Sequence, residues 1–267
     1  MRQEIHTGAT RESGIRLERD GAIVILTLAR PAVLNALSGA VYRGLIYALD
    51  LLDLDAEMRA LVITGAPRLD GRACFCSGAD LWDPELEQGS RLAKEAFGRI
   101  ESTAKPAIAA VGGLALGGGL ELAMACDFRV AAQGTRLGFP EVNIGTMPRA
   151  GGTQRLPRLI GVGRAKQLLL LGEYIDGSRA YDIGLVDYVT PDGTELGRAM
   201  DLARQLAQKA PLAVAAIKRA VNSSHDLELD DGLDLEIALG EELDRTEDRL
   251  EGRRAFIEKR TPIYRGK

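Results

Sequence analysis

The sequence is short of the residues that carry metal and redox chemistry. It has two histidines, His6 and His225, and three cysteines, Cys74, Cys76 and Cys126. Cys74 and Cys76 are too close for an ordinary zinc knuckle, and two distant histidines do not complete a site. No metal or redox cofactor is expected, and the thiols read as reduced and partly buried. Aromatic residues are only 4% of the chain, with one tryptophan, Trp82, so there is little material for stacking nucleic-acid bases. No Lys/Arg-rich run occurs and the formal net charge is −4, which argues against a binder of phosphate backbones. No apolar run reaches the length of roughly 20 residues that spans a bilayer. Met1 to Asp20 is polar and mixed in charge, with neither an apolar signal core nor an Arg-rich presequence. These absences predict a cytoplasmic protein with neither a membrane nor a nucleic acid as partner.

What is present is an ordinary globular balance: 267 residues, 46% hydrophobic and 27% charged. That length suits one large domain with an appendage, or two small ones. Apolar runs at 22–28, 59–64, 106–111, 128–132 and 185–189 read as strands. Ser38 can cap a helix over about 39–53, with Val41, Leu45, Ile46, Leu49 and Leu52 as its apolar residues. Further helices are expected at about 90–103, 163–171 and 177–183. From about 194 the strand signal stops, and 195–208, 212–222 and 232–259 carry helical periodicity. The pattern predicts an α/β core of repeated strand–strand–helix units over 1–193 and a helical region over 194–267.

Three consecutive glycines, Gly117, Gly118 and Gly119, follow the apolar run that ends at Val111. After them, Leu120, Leu122, Ala123, Met124 and Ala125 read as a buried helix. The glycines therefore sit where a turn feeds a helix N-terminus, whose N–H groups are unpaired and favour negative charge. The spacing matches neither a P-loop nor a dinucleotide fingerprint. Tight helix–strand packing would also use such glycines. A second small-residue loop, Ser77 to Asp80, can offer another backbone N–H. Two carboxylates, Glu121 and Glu141, lie across one helix and one strand from each other. Two N–H donors can hold the oxygen that becomes negative when a thioester is attacked at C3 or loses a proton at C2. Two carboxylates can share a water and move its protons. Glu121 could equally be a charge complementing a helix N-terminus, and Glu141 a solvated loop acid.

The chain resembles the enoyl-CoA hydratase/isomerase family, the crotonase superfamily, from about residue 15 to 263. The resemblance rests on Arg30-Pro with Leu34-Asn-Ala-Leu37, on Phe75-Cys-Ser-Gly-Ala-Asp-Leu81, and on Ala115-Leu-Gly-Gly-Gly-Leu-Glu-Leu-Ala123 with Cys126-Asp127. Pro140-Glu141, Pro148-x-Ala-Gly-Gly-Thr-Gln-Arg-Leu156 and Phe256-x-x-Lys-Arg260 complete it. Each motif is modest alone, and their order and spacing together are specific.

The resemblance implies a crotonase-like spiral of strand–strand–helix turns carrying an acyl-CoA site. It also implies a C-terminal helical region, 194–267, that builds homotrimers or homohexamers. It implies an oxyanion hole from the N–H groups of Ala79 and Gly118, next to Gly117. Glu121 and Glu141 match the two carboxylates of true hydratases, which add water across a 2-enoyl-CoA to give a 3-hydroxyacyl-CoA. Val33, Ala79, Asp80 and Leu81 would line the coenzyme channel. Arg30, Phe256 and Lys259 could reach the coenzyme, which is part of the substrate and not a separate cofactor. Plain surface charge would also account for Arg30 and Lys259. Three departures bear on the acyl group. Arg149 stands where typical hydratases have a small residue, and could steer a polar or acidic acyl group or simply point outward. Trp82 occupies a position often basic in relatives, where it could stack on adenine or wall the acyl pocket. Phe139 makes the site near Glu141 more apolar. The alternatives are an enoyl-CoA isomerase, a lyase or hydrolase on a specialised acyl-CoA, and an RNA-binding homologue.

Overall fold

A computed structural model describes residues 2–5 and 12–267; His6 lies outside them. The first described elements are β1 (Gln3–Glu4), β2 (Ile15–Asp20) and β3 (Ile23–Leu28), followed by α1 (Gly39–Leu54). All six residues of β3 are buried. A strand buried on both faces belongs inside a covered, largely parallel sheet. β3 pairs in parallel with β4 (Ala60–Gly65), which pairs in parallel with β5 (Ala107–Val111). β5 pairs with β7 (Phe128–Ala132), and β7 with β10 (Tyr188–Thr190), also in parallel. The main sheet runs β1-β2-β3-β4-β5-β7-β10.

A second, smaller sheet lies alongside. β6 (Leu114–Leu116) pairs in parallel with β8 (Arg136–Gly138), and β8 pairs antiparallel with β9 (Tyr174–Ile175). Isolated bridges extend the same ladder, Leu37 to Ala79 and Cys76 to Ala115. Successive turns of the chain thus repeat one move, from the main sheet to the inner ladder and out through a helix. Those helices are α1, α2 (Leu86–Ser102), α3 (Gly118–Met124) and α4 (Gly152–Ile160). The predicted strand–strand–helix spiral is the observed fold.

The alternation in β3 divides the core. Val24, Leu26 and Leu28 join the larger cluster with α1, α2 and α3, while Ile23 and Ile25 join a smaller one. That smaller cluster is closed by Ala199, Met200, Leu202 and Ala203 of α7 (Glu195–Ala207). α5 (Val162–Leu171) and α6 (Gly177–Asp182) precede α7. α8 (Pro211–Ser223), α9 (Leu229–Leu243) and α10 (Glu247–Glu258) end the chain. Lys218 on α8 is buried and ties that helix to the core. Its Nζ donates to Asp127 Oδ2 at 2.8 Å, to Ile100 O at 3.0 Å and to Lys105 O at 3.2 Å.

Several boundaries differ from the sequence expectation. β2 lies in the polar N-terminal stretch, where alternate residues Ile15 and Leu17 are buried against the core. The charged helix α2 begins at Leu86, earlier than expected. Gly152 to Ile160 is helical although it contains Pro157. The last strand is 188–190, because Leu185 and Val186 turn into the larger core cluster first. The stretch 232–259 is two helices, parted where the Thr246 side chain caps α10 by accepting from Arg249 N at 3.1 Å.

Candidate functional site

The inner ladder brings the two small-residue loops together. In the parallel bridge between Leu37 and Ala79, Leu37 N donates to Gly78 O and Asp80 N donates to Leu37 O. The flanking residues make those bonds, so Ala79's own N–H faces away from Leu37. Gly78 precedes it with φ +108, a conformation open to glycine but strained for other residues. Gly118 is the first residue of α3, where an N–H has no partner within the helix. A methyl group built on Gly118 would lie 3.4 Å from Ala79 N, so the two amides are neighbours. Both residues line one cavity of about 330 Å³.

Glu121 lies in the first turn of α3 and is buried. Its Oε1 accepts from Ala150 N at 2.9 Å and from Gly152 N at 2.7 Å. Burial pushes its pKa up; those two N–H bonds, and the charges of Arg155 and Arg149, pull the other way without cancelling it. Arg155 braces the same turn. It donates to Ala150 O at 2.7 Å and forms a two-point pair with Glu101, one contact at 2.7 Å. Glu141 sits in a short 3₁₀ turn after β8, from Pro140 to Ile144. Its Oε2 is buried with no hydrogen-bond partner among the described residues. Burial, with the nearby Glu121 charge adding to it, pushes the Glu141 carboxyl up to about 7.

Glu121 and Glu141 line the same cavity as Ala79 and Gly118. The remaining wall is mainly apolar, with Leu37, Leu86, Ile144 and Met147, and α1 adds Tyr42. Such a site is concave and apolar, with a few convergent polar groups. A carbonyl oxygen held by the two amides would set the adjoining carbons beside the two carboxylates.

Of the remaining sites expected from sequence, Gly117, Leu81 and Arg149 line this cavity. Arg30, Val33, Asp80, Trp82, Phe256 and Lys259 are not among its lining residues. Arg30 is engaged internally: Nη2 donates to Asp80 Oδ2 at 2.9 Å and Nη1 to Ala36 O at 2.6 Å. Asp80 Oδ1 also accepts from Trp82 N at 3.1 Å. Arg30 and Asp80 therefore brace the loop that carries Ala79. The Trp82 side chain is 93% exposed and Phe256 is 86% exposed. Lys259 is exposed, at the left-handed cap of α10. Sequence reasoning missed the amides of Ala150 and Gly152, whose signal was the glycine pair Gly151 and Gly152. It also missed Tyr42, which reads as an ordinary core position beside Val41.

The sequence profile described as "Enoyl-CoA hydratase/isomerase" matches residues 18–267. The chain belongs to the enoyl-CoA hydratase/isomerase family. It is 41% identical over 256 residues to the enoyl-CoA isomerase/hydratase fer4 of Mycosarcoma maydis, covering 91% of this chain and 92% of that one. It is 40% identical over 259 residues to the 2,3-dehydroadipyl-CoA hydratase of Escherichia coli K12, covering 96% of this chain and 100% of that protein. The crystal structure of an enoyl-CoA hydratase from Bacillus anthracis superposes with a TM-score of 0.90 at 38% identity, over 95% of this chain and 100% of that chain. The chain thus shares its fold with a solved enoyl-CoA hydratase across nearly its full length.

Proposed function

We propose that this enoyl-CoA hydratase/isomerase family member is a hydratase, adding water across a 2-enoyl-CoA to give a 3-hydroxyacyl-CoA. The observation that carries this reading is the placing of two carboxylates, Glu121 and Glu141, in the cavity that holds the amides of Ala79 and Gly118. The amides bind the thioester oxygen and stabilise the enolate formed when C3 is attacked. Glu121 takes a proton from water as its oxygen bonds to C3. Glu141 donates a proton to C2. The proton gained by Glu121 then passes to Glu141 and restores the starting state, so that net H and OH have been added. No metal or redox group takes part.

In the same proposal, Val33, Asp80 and Leu81 run beside the coenzyme, with Arg30 keeping their loop in place. Phe256, Lys259 and Trp82 contact the coenzyme from the protein surface or from a neighbouring subunit. The helical region 194–267 builds trimers or hexamers. That assembly is supported by exposed apolar side chains on its helices, including Leu233, Ile237 and Ile257.

A second reading, enoyl-CoA isomerisation, is favoured by the Glu141 carboxyl, which at a pKa of about 7 can both give and take a proton. One experiment separates the two. Loss of the conjugated enoyl-thioester absorbance is followed with crotonyl-CoA and a longer 2-enoyl-CoA, in wild type and in the Glu121→Ala, Glu141→Ala double variant. A 3-enoyl-CoA is run beside them. Rapid loss in wild type alone supports hydration. No loss with either 2-enoyl substrate, together with conversion of the 3-enoyl substrate, supports isomerisation and sinks the hydratase reading.

A further inference from the structure

Among the described residues that line the cavity, Arg149 is the one basic residue, and the cavity also carries the carboxylates Asp83, Glu121 and Glu141. Its guanidinium forms no ion pair among the described residues, though its charge is felt at Glu121. The other arginines nearby are all used. Arg155 pairs with Glu101 and Arg30 with Asp80. Arg149 adjoins Ala150, the residue whose N–H holds Glu121 Oε1, and not the Ser77–Leu81 loop that holds the carbonyl. Arg149 is itself exposed, so it stands at the mouth of the cavity toward the Glu121 end, where the acyl chain beyond C3 would lie. An anion in a cavity with three carboxylates is repelled unless a cation faces it. A guanidinium with no ion pair of its own, on an otherwise largely apolar wall, is the matching group.

We propose that Arg149 selects an acyl group bearing a second carboxylate, so that the preferred thioesters are the mono-CoA esters of short dicarboxylic acids. The inference rests on the acyl-CoA reading above but not on hydration, because selection occurs on binding.

The test therefore uses saturated thioesters, which bind without reacting. Dissociation constants are measured calorimetrically for two matched pairs, glutaryl-CoA against pentanoyl-CoA and adipyl-CoA against hexanoyl-CoA. The quantity read is the ratio within a pair, which a general loss of affinity does not change. In wild type, the carboxylated member of at least one pair is expected to bind about tenfold tighter, the size of one charge-assisted contact. Arg149→Met should bring that ratio to unity or below, because only the carboxylates then remain. Arg149→Lys should keep part of it, since charge persists without the two-point fork. Equal binding within both wild-type pairs overturns the proposal. So does a preference that Arg149→Met leaves unchanged. Failure of the hydratase reading is separate and shows itself as no loss of enoyl absorbance, whatever these ratios are.

Discussion

Glu121 and Glu141 share one cavity but are held differently. Oε1 of Glu121 accepts two backbone N–H bonds, from Ala150 and Gly152, whereas Oε2 of Glu141 is buried with none. Both carboxyls are pushed up by burial, Glu141 to about 7. The pair is thus suited to carry a single proton near neutrality, and its titration belongs to the pair. Hydration needs Glu141 protonated and Glu121 ionised. Dehydration needs the reverse tautomer, which has the same proton count.

The pH dependence of kcat/KM follows directly. The rate should fall as pH rises above about 7, when the pair loses its last proton. It should also fall at acid pH, when both carboxyls are protonated. The equilibrium constant for adding neutral water does not depend on pH, so the hydration and dehydration profiles must superimpose. Stopped-flow or initial-rate profiles in both directions, from pH 5 to 9, check this. A hydration rate that continued to climb above pH 8 would remove Glu141 as the acid.

Gly117 makes room for Glu141. Its φ is +47, and a methyl group built on it would lie 2.6 Å from Glu141 Oε1. Gly117→Ala should therefore displace that carboxylate and strain the turn into α3. We expect kcat to fall by about 100-fold, the scale of a small misplacement of a reacting group. Stability should drop by about 1–3 kcal/mol from the backbone conformation. Steady-state kinetics alongside thermal melting separate the two effects. An unchanged kcat in a folded variant would show that Glu141 has slack the geometry does not suggest.

The parts of this site that were legible in the sequence were local. Three glycines before a helical run mark the turn, and Ser38 marks the start of α1, its Oγ accepting from Val41 N at 3.4 Å. β5, β7 and the body of α1 follow from short-range periodicity. What was not legible depends on contacts far apart in the chain. The bonds from Ala150 and Gly152 to Glu121 span 29 and 31 residues, and no local pattern encodes them. Arg30 looked available for phosphate until the fold placed Asp80, fifty residues away, against it. β2 was hidden because its outward residues are charged, and its pairing with β1 and β3 makes it a strand. The break between α9 and α10 was hidden by an unbroken charged periodicity, with Thr246 as the only signal.

Burial of Glu141 also leaves a mark on stability. Its native pKa is raised from 4.5 to about 7, so the folded protein binds the proton more tightly than the unfolded chain does. Wherever the native state holds more protons, stability falls as pH rises, here between about 4.5 and 7. Above that window the full destabilisation of the ionised side chain is present. Glu141→Gln removes the ionisation and keeps the shape. Its Tm should exceed that of wild type at pH 8, and the difference should vanish near pH 4. Equal melting temperatures at pH 8 would mean that the carboxylate is well solvated in the native state.

The Lys218–Asp127 pair offers a test of how α8 is held. Lys218 reaches from a helix whose other residues are partly or fully exposed into the core, where Asp127 Oδ2 also accepts from Ala107 N at 2.7 Å. Burial raises the Asp127 pKa, and the Lys218 charge offsets part of that rise. Removing only the lysine leaves an uncompensated buried carboxylate and two carbonyls, Ile100 O and Lys105 O, without their donor. Lys218→Met should therefore cost about 3–5 kcal/mol in denaturant unfolding. Adding Asp127→Asn removes the stranded charge and should recover part of that loss, because it discards the cost of the unpaired ion. A double variant whose loss equals the sum of the two single losses would mean that the pair contributes nothing as a pair, and that packing alone fixes α8 on the core.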